Sequence, residues 1–385
     1  MAAAASPTPP LVRLYFPLEQ ARGRRYPEPA HPYRNDFERD RDRILHSPAF
    51  RRLEGKTQVF AKGLSDHFRN RLTHTLEVTQ IARSVAGALG LNQAFSEALA
   101  LVHDIGHPPF AHSGEAQLDL LMQPYGDHFD HNTHALRIVE SFEHRYARFP
   151  GLNLTFEVRE GIAKHSRDFA PGEIPELDEF LPGFRPPLEA QIIDLCDEVA
   201  YNTADLDDGY AAGLLPLDRL CDEIPQFGII SETIANQFPG ATEEIQMYES
   251  LRAMIDWMAT GLLIGTIDAA SHAGVETVED VRRYPTRIAQ FTPETAAAAA
   301  QSKAFLRKYV YRSEPVVAER QASMDRMAWL FRYFVDHAGS MPPNYEEKAA
   351  EEPRHRIVCD YIAGMTDGFF NRTYTQVYER HQGPA

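Results

Sequence analysis

The chain has 385 residues, and 39 Lys and Arg against 55 Asp and Glu leave a formal charge of −16 with histidine neutral. That balance argues against general affinity for a polyanionic nucleic-acid backbone, so a phosphate-bearing ligand has to be held by a local cluster of Arg, Lys or metal. With 43% hydrophobic and 10% aromatic residues the chain can bury a sizeable core. The longest apolar run, 254–267, contains Asp256 and falls short of the roughly 18 residues of a membrane span.

Residues 1–33 hold seven prolines and an alanine tract, and read as a flexible, loosely ordered tail without a basic-then-apolar leader. RNDFERDRDR (34–43) carries both charge signs at i, i+4 spacing and reads as a solvated helix. Leu72, Leu76, Ile81, Val85 and Leu89 recur at helical steps, predicting a helix that Gly90 ends. Ser96 is placed to cap a short helix carrying Ala98, Leu99, Leu101 and Val102, stopped by Gly106 and Pro108. Leu136 and Val139 mark another helix after Asn132. LNLTFEVRE (152–160) is the best strand candidate, although FEVREGIAKH reads equally well as helix. Pro187 suits the first turn of a long helix with Leu188, Ile192, Leu195 and Val199 on its apolar side. Further helices are predicted at 243–263, 293–311, 316–338 and 354–370, with the polar loop MPPNYEEKAAEEP between the last two. Cys196, Cys221 and Cys359, with no CxxC pair, read as reduced thiols of a cytoplasmic protein. The expected fold class is all-α, divided into the 1–33 tail, a 34–215 core and a 216–385 helical region packing on it.

The densest chemical signal is ALVHDIGHPPFAHSGE, residues 100–115. A His103-Asp104 pair at the end of an apolar helix is costly to bury unless compensated. A divalent cation compensates it by taking an imidazole nitrogen and a carboxylate oxygen. Alone, such a pair is more often a helix-end hydrogen bond; His107, His112 and Glu115 close behind it shift the balance toward metal. His74, 29 positions before His103, offers the same ligand type from its own helix, against the bland reading of a half-buried histidine. In IIDLCDEVAYNTADLDD (192–208), Asp197, Tyr201 and Asp205 form a stripe opposite Ile192, Leu195 and Val199. Asp194 shares that polar arc, so helical geometry leaves open which aspartate reaches a metal; the DLDD end reads as a solvated acidic face. Two His and two Asp from three helices leave open positions for water and a phosphate oxygen, which suits hydrolysis rather than a structural role. Gly55-Lys56-Thr57 looks like the end of a phosphate-binding loop, but Phe50 stands where the first glycine is required and no strand precedes it. HExxH, GxGxxG and GxSxG do not occur, so a zinc protease, a dinucleotide enzyme or a serine hydrolase lacks support.

His74, His103-Asp104 and a distant aspartate resemble the H…HD…D signature of HD-domain metal-dependent phosphohydrolases. SPAFRRLEGKTQVF, NRLTHTLEVTQIAR, HDIGHPPFAHSGE, FDHNTHALRIV and CDEVAYNTADLDD, in that order, narrow the resemblance to deoxyguanosinetriphosphate triphosphohydrolase-like proteins, with FLRKYVYRSEPV as a further block. The resemblance implies an HD-domain helical core with additional C-terminal helices. It implies cleavage of dGTP or another dNTP at the α-phosphorus, to deoxynucleoside and inorganic tripolyphosphate, in control of the dNTP pool. It places a divalent metal, Mg²⁺ or Mn²⁺ ahead of Fe²⁺, Co²⁺, Ni²⁺ or Zn²⁺, on His74, His103, Asp104 and Asp197. Here Asp197, not Asp194, occupies the family position in CDEVAY. It puts His112, Glu115 and His131 at the scissile bond, Arg71 on a phosphate, and Gln58, Tyr201 and Asp205 on the deoxyribose. Lys303, Arg307 and Tyr311, at i, i+4 and i+8 of one predicted helix, would reach the polyphosphate tail. Family members also suggest a homo-oligomer, a hexamer or tetramer, and a dNTP acting as allosteric activator.

The sequence departs from the family pattern at Asp130, often Glu, and at His134, where Gln is expected; His134 reads as an exposed histidine or as a shift in metal preference. Two other functions compete. An HD phosphohydrolase acting on a nucleoside monophosphate or cyclic nucleotide is opposed by Gln58, Tyr201 and Asp205. A weakly catalytic nucleotide-sensing or single-strand-binding protein is opposed by the full set of expected ligands and by the −16 charge, which leaves single-stranded DNA a minor partner and membranes none.

Overall fold

The computed structural model describes residues 8–58, 68–215 and 217–382; Val59 and Phe60 of the KTQVF block, the first seven residues and Pro216 lie outside them. The helices run in chain order as α1 (Asp36–Leu45), α2 (Pro48–Arg52), α3 (Arg71–Leu89), α4 (Gln93–Val102), α5 (Ala111–Met122) and α6 (His131–Arg137). Then follow α7 (Phe156–Ala163), α8 (Leu188–Ala211), α9 (Leu217–Glu223), α10 (Pro225–Gln237), α11 (Glu243–Ala273) and α12 (Val278–Arg283). The last are α13 (Pro293–Tyr309), α14 (Glu314–Asp336), α15 (Pro343–Ala349), α16 (Arg354–Ala363) and α17 (Asp367–Gln382). Among the described residues there are isolated bridges but no strand, so the fold is all-α. Two compact units are each assembled from separate stretches of chain. One comprises residues up to Asp42, 76–101 and 154–310; the other comprises 43–75, 102–153 and residues from Tyr311 onward.

In the first unit α8 packs on α11 and α13, and α10 on α11. The stretch expected to be a loose tail is packed from residue 11: Leu11, Leu14 and Phe16 are buried. The Leu11 N–H donates to the Leu89 carbonyl at 2.9 Å, and Phe16 meets Phe37 and Phe95, whose rings stack 4.4 Å apart. Proline content misleads here because a few large apolar residues suffice to anchor an extended segment. Gly90 ends α3 at φ 83°, and a Cβ there would lie 2.6 Å from Pro9. α1 is likewise no solvated helix: Asp40 is wholly buried, paired with Arg24 and accepting the Thr155 N–H at 2.9 Å and hydroxyl at 2.7 Å. The strand candidate is α7, and α4 begins earlier than expected, with Asn92 rather than Ser96 accepting the first-turn N–H of Phe95 at 3.2 Å. α11 is long and apolar enough, by length and composition, to cross a bilayer, but Met247, Met254, Met258 and Leu262 bury one side of it within the unit.

Glu189 of α8 is fully buried and accepts the N–H groups of Phe16 at 2.9 Å and Asn92 at 3.0 Å. Burial pushes its carboxyl up to about 7, against the opposing pull of those two bonds. The native state therefore binds the extra proton, so this group favours folding below its unfolded value near 4.5, and that advantage is lost as pH rises through about 7, on the order of 3 kcal/mol. Glu189→Gln, which keeps an acceptor and removes the charge, is expected to raise the thermal midpoint at pH 8 and leave it nearly unchanged at pH 5. Equal shifts at both pH values in melting curves would refute the assignment.

In the second unit α14 packs on α5, α16 and α17, around a core that includes Leu118, Met327, Phe331, Phe334, Ile357 and Phe370. The predicted 354–370 helix divides into α16 and α17, and the polar 341–353 loop contains α15.

Candidate metal and hydrolytic site

The first turn of α3 belongs to the second unit, and its buried positions are Arg71, His74 and Thr75. The apolar stripe expected there does not exist in that form, since Leu76 is 48% exposed. Polar side chains occupy the inward-facing positions because they have partners. α4 ends at Val102, and His103 and Asp104 follow at once in the turn. His74, His103 and Asp104 bring one ligand atom each to within 4.8 Å of one another, all buried. His74 Nε2 stands 3.9 Å and His103 Nε2 3.6 Å from the Asp104 oxygens. Two imidazoles and one carboxylate at that spacing form a donor set that fits a divalent cation. Arg71 donates to Asp104 Oδ2 at 2.6 Å. Burial opposes a charge on Asp104, but Arg71, with His103 and His107, overrides it and holds the carboxyl well below its ordinary range.

His107, which the sequence flags without a role, links this trio to a second group. Its Nδ1 is 3.0 Å from Asp104 Oδ1, and its ring stacks on that of His131 with centroids 3.9 Å apart. Burial, with Arg71 and His131 nearby, keeps it neutral. The signal available from sequence is its position three residues after Asp104. The chain then passes through Phe110 and Ala111 in the left-handed region, φ 64° and 54°, and enters α5 with His112 and Glu115 on its first turns. Glu115 bridges two histidines, with Oε1 2.6 Å from His131 Nδ1 and Oε2 3.3 Å from His112 Nδ1. Although burial works against its charge, these two contacts hold Glu115 far below the ordinary carboxylate range. His131 opens α6, where Asp130 caps the helix by accepting the Thr133 N–H at 2.8 Å. That cap requires an acceptor on a short stem, which accounts for Asp at this position.

His134 is buried, not exposed, and its Nδ1 lies 2.8 Å from the Gly106 carbonyl. Burial lowers it to about 3, so it stays neutral and donates from Nδ1 to that carbonyl. The HDIGHPP turn presses so closely on α6 that a Cβ on Gly106 would stand 2.0 Å from the His131 carbonyl oxygen and 2.6 Å from the Ala135 nitrogen. Gly106→Ala is expected to cost at least about 1–3 kcal/mol in denaturant unfolding, the usual range for overpacking. A shift below the error of the measurement would show that the turn has room to spare.

Of the other residues singled out by sequence, Gln58 is half-buried in the second unit, with its Oε1 enclosed. Asp197, Tyr201 and Asp205 lie on α8 in the first unit. Asp205 and Asp208 are buried, which overturns the solvated reading of DLDD. Asp194 is committed to partners within its own unit: the Ser166 N–H at 3.0 Å, His165 at 2.6 Å, and Arg287. Burial, then Glu198, Asp197 and Asp205, pushes the Tyr201 hydroxyl upward, so it remains a neutral donor. Lys303 of α13 lies 5.4 Å from the Tyr201 ring centroid and 3.7 Å from Glu198. Arg307 is exposed on the same helix, but α13 ends at Tyr309, so Tyr311 is off the expected register.

Comparison with known proteins places the chain in a family. The HD domain family matches residues 71–202 and the phosphohydrolase-associated domain family residues 289–376. A deoxyguanosinetriphosphate triphosphohydrolase-like protein of Geobacter metallireducens is 41% identical over 363 residues, covering 94% of each chain. One from Azoarcus sp. is 43% identical over 359 residues, 93% of this chain and 94% of its own. A third, from Leptospira interrogans, is 39% identical over 355 residues, 91% and 92% of the two chains. With its His74–His103–Asp104 cluster inside the matched region, this chain belongs to the deoxyguanosinetriphosphate triphosphohydrolase-like family of HD-domain proteins.

Proposed function

We propose that the protein is a metal-dependent dNTP triphosphohydrolase, cleaving at the α-phosphorus to release deoxynucleoside and tripolyphosphate. The observation that carries this reading is the unbroken run of side chains from His74, His103 and Asp104 through His107 to His131, Glu115 and His112. A divalent ion such as Mg²⁺ or Mn²⁺, held by His74, His103 and Asp104, would supply charge stabilisation at the phosphate oxygens and acidify a water. Arg71 keeps Asp104 anionic for that task. Glu115, itself held ionised, accepts from Nδ1 of His112 and of His131, which leaves each Nε2 as the working atom. His112 is the donor to the departing 5′ oxygen, which is too basic to leave unprotonated. Gln58, Tyr201 and Asp205 face the deoxyribose, where a hydroxyl donor and an enclosed carboxylate suit a 3′-hydroxyl. Lys303 and Arg307 meet the tripolyphosphate, giving local positive charge in an acidic chain.

The test supplies each dNTP singly and then all four together, with Mn²⁺ or Mg²⁺, and separates products by anion exchange. Deoxynucleoside with tripolyphosphate is the expected result, and turnover only in the mixture would add nucleotide activation. Monophosphate with pyrophosphate would overturn cleavage between the α-phosphorus and the 5′ oxygen. A parallel panel supplies nucleoside monophosphates and cyclic nucleotides, and turnover of these alone would move the protein to another HD substrate class.

A further inference from the structure

Gly55-Lys56-Thr57, the false phosphate-binding loop, has a different job in the fold. A Cβ on Gly55 would stand 2.6 Å from the Thr366 side chain, so glycine lets this segment lie against the start of α17. Lys56 is buried, and its ammonium donates to the carbonyl of His107 and, at 3.0 Å, to that of Ala363. The Thr57 N–H donates to Asp367 Oδ2 at 2.9 Å, and its hydroxyl donates to the same oxygen. The other oxygen of Asp367 accepts the Phe110 N–H at 3.2 Å. Phe110 is the first of the two left-handed residues that launch α5, a conformation costing about 1–3 kcal/mol per residue and kept only where its surroundings impose it. Its ring also packs edge-on against Phe370 of α17, centroids 5.1 Å apart.

We infer that Asp367, with Thr57 and Lys56, is a positioning device that holds the Phe110–Ala111 turn and thereby sets His112 and Glu115. The carboxylate touches the turn with one oxygen and Thr57, next to Gln58, with the other. One side chain on α17 therefore ties the segment entering α5 to the segment carrying Gln58. The inference rests on the reading of His112 and Glu115 as part of the hydrolytic site.

The test compares Asp367→Ala, Thr57→Val and Thr57→Ser with the parent, all as full-length Mn²⁺-loaded protein. Turnover, metal content and hydrogen–deuterium exchange of the 105–115 peptide are followed together. Asp367→Ala and Thr57→Val are expected to lose about 10- to 100-fold in kcat with KM within about twofold and metal content unchanged. Exchange in 105–115 is expected to rise in both, and Thr57→Ser to restore parent values. Unchanged exchange in both losing variants would overturn the device itself. Raised exchange with parent-like kcat would overturn its positioning role, as would a loss of kcat that follows loss of metal. If the parent releases no tripolyphosphate, the functional reading fails instead, and exchange alone then decides whether the device exists.

Discussion

A His112→Ala enzyme is expected to lose about 10²–10⁴-fold in kcat while keeping its metal, the range general acid catalysis contributes. The separation is possible because His112 lies outside the His74–His103–Asp104 cluster and its side chain is 81% exposed, so its removal disturbs neither ligand geometry nor core. What it removes is the imidazole that Glu115 orients at 3.3 Å. His131 makes the tighter contact to the same carboxylate, 2.6 Å, and is far less exposed, so it supplies an internal control. Full turnover in His112→Ala alongside a collapse in His131→Ala would transfer the proton-donating role to His131. Losses in both that fail to multiply in the double variant would show the two histidines acting as one unit through Glu115.

Asp104→Ala carries the largest expected effect on stability, because Asp104 is both a proposed metal ligand and the partner of Arg71. Their side chains are 5% and 2% exposed, and the substitution strands a guanidinium in the interior. Breaking a buried pair from one side costs about 3–5 kcal/mol, whereas replacing both partners with apolar groups is often close to neutral. Denaturant unfolding should therefore show a large loss for Asp104→Ala and substantial recovery for the Arg71→Met, Asp104→Leu double variant. Metal content and turnover should stay at background in both. A single variant as stable as the parent would mean that Arg71 finds another partner and that the pair does not hold the site together.

The all-α class was legible in spacing: apolar residues at helical intervals, Gly90 and the Gly106–Pro108 turn as stops, and scarce alternating patterns were enough. A cluster able to hold a metal was legible too, because His107, His112 and Glu115 follow His103-Asp104 closely and His74 offers the same ligand type. Periodicity failed where polar residues face inward. On the first turn of α3 it selected Leu72 and Leu76, while the buried positions are Arg71, His74 and Thr75. On α8 it read Asp205 and Asp208 as solvated, although both are enclosed. A residue's identity reports its preference for water, but an inward polar group is stabilised by a partner, and the partner is a matter of folding.

Those partners are distant in the chain. Asp104 lies 33 positions from Arg71, and Asp367 lies 310 from Thr57 and 257 from Phe110. The sequence by itself determined the helical class, the kinds of metal-ligating and acid–base groups available, and the family. Only the tertiary structure decided that Arg71 guards Asp104, that His107 joins the ligand cluster to the Glu115 pair, and that Gly55-Lys56-Thr57 braces a turn instead of holding a phosphate. The reason is physical: local propensity acts over a few residues, whereas a buried charge or an unpaired carbonyl is satisfied by whatever group the completed fold brings alongside it.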